Sequence, residues 1–101
     1  MDIQKMIREA QEMQKNLMQA QKDLANVEVK GASGNGLVEI TMSAQGEVKN
    51  IKIGKDAVNP DDVETLEDLV LTAFRDAYSK AADVSKEKLS KLTGGKGLLP
   101  F

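Results

Sequence analysis

A chain of 101 residues with 41% apolar and 30% charged side chains is sized for one domain with a single modest core. It has no cysteine and no histidine, which excludes disulfides, thiolate or imidazole metal sites and the usual general base of catalysis. The formal charge of −2 excludes a wholesale polycation, but it is unevenly spread: residues 56–70 hold six carboxylates and no cation, whereas residues 75–101 hold six cations against three carboxylates.

The N-terminus, Met-Asp-Ile-Gln, lacks the basic and apolar regions of a signal peptide, and no apolar run approaches a membrane span. A cytoplasmic protein is therefore expected. Asp2 is a suitable N-cap, and helix-favouring Gln, Glu, Lys, Met and Ala run from there to about Ala25 without Gly or Pro. Within this helix Ile3, Met6, Ala10, Met13, Leu17, Ala20 and Leu24 step alternately by three and four, a heptad a/d seam that no strand period fits. With Ile3 at position a, Arg8, Lys15 and Lys22 all fall at f, a line of cations spaced about 10 Å apart and directed away from the seam. Asn26 is the expected exit.

The period then changes. Val27 and Val29 alternate with Glu28 and Lys30 as a short strand, and the run Gly31 to Gly36 supplies positive-φ positions for a turn. Val38, Ile40 and Met42 alternate with Glu39, Thr41 and Ser43 as a second strand, and Gln45-Gly46 turns the chain again. Val48, Ile51 and Ile53 form a third, with a phase slip near Asn50 that predicts a bulge. Three short strands with short turns make an antiparallel meander, whose apolar face the flanking helices must cover.

Asn59-Pro60-Asp61-Asp62 reads as a helix start, with Asn59 capping, Pro60 at N1 and the aspartates meeting the helix dipole. This accounts for the acidic cluster structurally, and the spacing of a calcium loop is missing. Val63, Leu66, Val70, Ala73, Ala77, Ala81 and Val84 continue a helical stripe. Leu89 and Leu92 fall out of its register, so a bend or a short third helix is expected near Asp83–Ser85. Gly94-Gly95 is the expected C-cap, and 94–101 a tail, mobile unless Leu98, Leu99 and Phe101 dock.

The expected architecture is α+β: an α-β-β-β-α two-layer unit forming a single domain over 1–101. It comprises a helical arm at 1–25, a three-stranded antiparallel meander at 27–54, a helical region at 60–93 and the tail. A sheet of three strands is only about 10 Å across, whereas the first helix is about 33 Å long and the second about 48 Å. The helices must overhang as long projections, and an overhanging amphipathic helix in water calls for a partner chain. A homodimer closed by two-fold symmetry is expected, with Ile3, Met6, Ala10, Met13 and Leu17 as its interface. The alternative is that the first helix packs on the second within one chain.

Catalysis is not expected, nor is a cofactor, a metal or a small-molecule substrate. No histidine is available for a triad, and the glycine-rich turn lacks the Gly-Lys-Ser/Thr of a phosphate loop. Thr93-Gly94-Gly95-Lys96 ends a helix, where phosphate binding needs one to begin. Aromatic residues number only three, two of them on or beside an apolar stripe, so stacking platforms for unpaired bases are absent. Nucleic-acid binding is then restricted to duplex DNA held by its phosphates with helices and lysines.

The order helix, meander, helical region coincides with a known pattern. Leu66-Glu67-Asp68-Leu69 followed by Ala73-Phe74-Arg75-Asp76-Ala77 carries it most specifically. Gly36-Leu37-Val38-Glu39-Ile40, Gly46-Glu47-Val48, Asn59-Pro60, Lys91-Leu92-Thr93-Gly94-Gly95 and the Gln- and Met-rich first helix support it. Over essentially its whole length the sequence resembles the YbaB/EbfC family of bacterial nucleoid-associated proteins. The resemblance implies a dimer whose helices project like tweezers around DNA, located in the nucleoid and influencing chromosome organisation and gene expression. It adds weight to two basic lines inferred from charge geometry as DNA contacts: Lys5, Arg8, Lys15 and Lys22 on the first helix, and Lys80, Lys86, Lys88 and Lys91 on the last. The rival expectation is a protein-interaction module that uses the helix seam and the tail Leu98-Leu99-Pro100-Phe101, with DNA contact incidental.

Overall fold

The structure is a computed structural model and describes residues 2–92. Its elements run α1 (Ile3–Ala25), β1 (Glu28–Ser33), β2 (Val38–Ser43), β3 (Val48–Ile53) and α2 (Val63–Leu92), with 3-10 turns at Gly34–Gly36 and Lys55–Ala57. The strands form one antiparallel sheet in the order β1-β2-β3. This is the expected α+β arrangement of helix, meander and helix.

Local chemistry sets most boundaries. The Asp2 carboxylate accepts from the Lys5 amide at 3.2 Å and starts α1, and Asn26 closes it with its backbone N–H on the Asp23 and Leu24 carbonyls. The turn before β2 holds Gly34, Asn35 and Gly36 all at positive φ, a run that only glycine and asparagine adopt readily. The expected slip in β3 is an observed bulge: Thr41 faces Asn50 and Met42 faces Val48, which leaves Lys49 as the extra residue.

Three boundaries depart from expectation. β1 runs through Gly31 to Ser33, where the sequence suggested a turn. Gly31 pairs with Ile40, and its missing side chain makes room for α2. The second helix begins at Val63 and not at Pro60. Asn59 spends its side chain on the Asp61 amide at 3.0 Å and its carbonyl on the Asp62 amide at 2.9 Å, closing a turn around Pro60. Asp62 is the actual cap, accepting from the Thr65 amide at 3.2 Å and its hydroxyl at 2.6 Å. Finally, α2 continues unbroken through Asp83–Ser85. The shift in its apolar register reflects a change of packing partner, from the sheet to the end of α1, and no Gly or Pro interrupts the helix. The expected Gly94-Gly95 cap and the tail lie outside the described residues.

The core lies on one side of the sheet, between it and α2. Ala73, Ala77 and Ala81 of α2, all nearly inaccessible, lie on Val38, Ile40 and Met42 of β2. Alanine at every fourth position gives α2 a flat face that can approach the sheet closely. The helix also covers the outer edge of β1. The Ala32 amide donates to the Asp76 carboxylate at 3.0 Å, Lys80 donates to the Lys30 carbonyl at 2.9 Å, and the Ser33 hydroxyl to the Leu69 carbonyl at 2.6 Å. A free strand edge invites unwanted pairing, and here side chains of α2 occupy it. β3 has no such cover. Its apolar side chains point to the α2 side of the sheet but lie beyond the helix, leaving Ile51 48% and Ile53 41% exposed. The expectation that the flanking helices would cover the whole apolar face fails at this strand, because α2 sits over β1 and β2 and α1 leaves the sheet.

Candidate nucleic-acid interface

Of the residues of α1, only Ala20 and Leu24 are buried. Both lie in its last two turns, so the remainder of the helix projects from the body. The Cα radius of gyration is 19.1 Å and the longest extent 70 Å, whereas a compact chain of this length would have a radius near ~13 Å. The overhang inferred from helix lengths is therefore present. The packing of α1 on α2 is confined to its base, where Asp23 meets Lys88 at 3.4 Å. The Gln45 side chain, from the β2–β3 turn, donates to the Gln21 carbonyl and buttresses the same place.

The arm is an exposed amphipathic rod. Along the seam Ile3 is 67%, Met6 54% and Leu17 38% exposed, Ala10 is also exposed, and Met13 is half-buried. On another face Gln11, Gln14, Lys15, Met18, Gln19 and Lys22 line a shallow furrow. The Gln11 and Gln14 amides flank the Lys15 ammonium, donors of the kind that suit phosphate oxygens, whereas the Gln19 amide beside Lys22 donates to the Asp23 carboxylate at 3.0 Å. The sequence reading missed these glutamines, although their spacing beside the lysines was visible.

The eight cations singled out from the sequence fall into two groups. The side chains of Lys5, Arg8, Lys15, Lys22 and Lys86 make no hydrogen bond or ion pair with a described residue. Lys80 is engaged with Asp76 at 3.3 Å and with the β1 edge, Lys88 braces Asp23, and Lys91 pairs with Glu87 at 3.4 Å. These three pairs are solvent-exposed, so each is weak and its lysine can exchange its partner for another anion. Lys80 also holds the edge of β1, which makes it the most structural of the eight.

Three carboxylates are held below their usual range. The Gln19 amide, and after it Lys88, lowers Asp23; the Thr65 hydroxyl and amide lower Asp62; the Ala32 amide and Lys80 lower Asp76. Carboxylates with a lowered folded value contribute stability in full above the ordinary carboxylate range and lose it as pH falls through the lowered value. Thermal melts followed by circular dichroism should therefore give a nearly constant Tm from about pH 7 to pH 5 and a decline below about pH 4. A Tm that rises on acidification would contradict these assignments.

The sequence profile of the YbaB/EbfC DNA-binding family matches residues 1–96. The chain belongs to this family. A nucleoid-associated protein of Rhodococcus opacus (strain B4) is 48% identical over 96 residues, covering 95% of this chain and 85% of its own. A nucleoid-associated protein of Corynebacterium glutamicum (strain R) is 44% identical over the same length, with 95% and 93% covered. The crystal structure of the uncharacterized protein HP0035 from Helicobacter pylori has the same fold. Its TM-score is 0.83 at 20% identity, with 93% of this chain and 99% of that one covered.

Proposed function

We propose that this protein is a homodimeric, nucleoid-associated protein that holds duplex DNA mainly through its phosphates. In this reading it acts in the nucleoid and influences nucleoid organisation and gene expression. Arg8, Lys15 and Lys22, with Lys5 at the arm tip and Lys86 on α2, supply the principal phosphate contacts. Lys80, Lys88 and Lys91 form a second set that must first release an ion pair. The observation that carries the reading is a rod standing clear of the body with its cations unpaired and a row of glutamines beside them. Family membership and the nucleoid-associated relatives support the choice of DNA as the polyanion.

Phosphate-dominated binding releases counterions, so it has a salt signature. If a dimer engages about 4–8 phosphates, log K falls against log salt with a slope of about −4 to −7. Affinity measured by fluorescence anisotropy should then drop roughly 10²- to 10⁴-fold between about 50 and 200 mM salt, with little dependence on DNA sequence. Binding indifferent to salt would overturn the mechanism.

A further inference from the structure

The apolar stripe of α1 is covered at one end only. Ala20 and Leu24 are buried at its base, whereas Ile3, Met6, Ala10 and Leu17 are exposed, as is Ile7 beside them. The cover at the base comes from the end of α2, where Lys88 meets Asp23 and Leu89 and Leu92 are half-buried. At 1.5 Å per residue α1 is about 35 Å long and α2 about 45 Å, and the molecule measures 70 × 24 × 17 Å. Neither rod fits across the short axes, so both run mainly along the long one. Lys88 and Asp23 each lie near the C-terminal end of their helix, so the two helices are antiparallel and the arm continues past α2. The 70 Å extent less about 45 Å of α2 leaves about 25 Å of arm, from its tip to about the level of Met18. The exposed part of the stripe is thus the part that α2 stops short of.

The continuation of the chain fits that gap in length and in chemistry. α2 ends at Leu92 running toward the arm tip, and Thr93-Gly94-Gly95-Lys96-Gly97-Leu98-Leu99-Pro100-Phe101 follows it in the sequence. Such a segment spans up to about 30 Å, more than the roughly 21 Å of helix from Leu17 to Ile3. Leu98, Leu99 and Phe101 are apolar, and the one charge in the segment is Lys96. The stripe is bordered by Glu9, with Glu12 behind it, and neither carboxylate pairs with a described residue. Met6 and Met13 supply flexible thioethers that conform to an irregular apolar partner. A second arm fits less well. The exposed stripe holds about two heptads, where a coiled coil needs about three or four, and it offers less than the roughly 800 Å² per partner of a stable complex. A tethered segment needs less area, because its effective concentration is on the order of millimolar. We infer that residues 93–101 continue along α1 of the same chain, laying Leu98, Leu99 and Phe101 over Met6, Ala10 and Met13, with Lys96 beside Glu9 and Glu12. Arg8, Lys15 and Lys22 lie on the opposite face of the helix and stay open, so the inference stands apart from the DNA reading.

The test is amide hydrogen exchange on the full chain without DNA, comparing wild type with Leu98→Ser/Leu99→Ser/Phe101→Ser. Exchange over residues 4–14 should be roughly 10-fold faster in the triple variant, while β2 and residues 66–81 of α2 are unchanged. Glu9→Lys with Glu12→Lys should also speed exchange in the arm, and adding Lys96→Glu should slow it again, because the reversed charges oppose each other once more. The chain has no cysteine, so a nitroxide on Gly97→Cys reports from one place. It should broaden the Met6, Ala10 and Met13 amide signals of its own chain and lose most of that effect when the three serines are added. Equal arm exchange in wild type and triple variant would overturn the inference. So would broadening seen only when spin-labelled and isotope-labelled chains are mixed, which assigns the segment to another copy. Arm exchange that slows with protein concentration and ignores the serine substitutions would give the stripe to a second arm, and equally overturn it.

Discussion

Replacing Gly31 by alanine should lower stability by about 3 kcal/mol, the range of an overpacked core, and valine should cost more. Gly31 is buried in β1 opposite Ile40. A side chain there would overlap the Ala73 carbonyl oxygen and the Ala77 nitrogen, and would sit 2.7 Å from the Ala77 Cβ. Two of the three obstacles are backbone, so no rotamer change relieves them and α2 has to withdraw. Withdrawal opens the layer above Val38, Ile40 and Met42 and pulls Asp76 and Leu69 off the β1 edge. For a domain of this size the loss corresponds to a Tm lower by about 12–24 °C. Gly36→Ala provides the contrast. Its φ of +89° is unfavourable to a side chain, but the nearest atom stands 3.9 Å away, so the cost should be only about 1–2 kcal/mol. Equal losses at the two positions would show that close helix–strand contact is not what Gly31 provides.

Lys15→Glu combined with Lys22→Glu should weaken duplex-DNA binding by about 10²-fold or more near 0.1 M salt. Two cations lost per chain are four per dimer, which makes the salt slope shallower by about 3.6. Reversal also sets carboxylates where the phosphates would lie, adding repulsion to the loss. Both residues are exposed, Lys15 on the arm and Lys22 near its base, and neither has an ion pair to a described residue, so melting temperature and dimer mass should not change. The effect should be alike for unrelated DNA sequences, because no base contact is removed. Lys80→Glu would be a poorer probe. Lys80 holds the Lys30 carbonyl and Asp76, so its loss would disturb the β1 edge as well as the charge. Unchanged affinity in the double variant would remove α1 from the binding surface.

Much of this molecule is written in short-range patterns. Asp2 before a helix-forming run, the alternation of Val38, Ile40 and Met42, the phase slip at Asn50 and glycine at positive-φ positions are local features, and local sterics and hydrogen bonding resolve them without reference to distant residues. Short-range pattern is ambiguous where two local options compete. Gly31 suits a turn as well as a strand, and only the approach of α2 selects the strand. Asn59 and Asp62 can each cap a helix, and the turn at Pro60 consumes the first. The register shift at Asp83–Ser85 mimics a break because a single stripe ordinarily meets a single partner, whereas α2 meets two in succession.

The candidate site divides in the same way. The line of Arg8, Lys15 and Lys22 follows from sevenfold spacing on a helix, and the overhang from comparing rod length with sheet width, so both are properties of the sequence alone. Which cations are left unpaired is not, since Lys88 finds Asp23 and Lys80 finds the Lys30 carbonyl across long separations in the chain. Nor does periodicity reveal that α2 stops short of β3. Strand alternation marks Ile51 and Ile53 as facing inward but cannot say whether anything lies above them, because coverage depends on where a helix sits laterally on the sheet. That position is decided by the close contact of the alanine face with Gly31, a contact between residues more than forty positions apart.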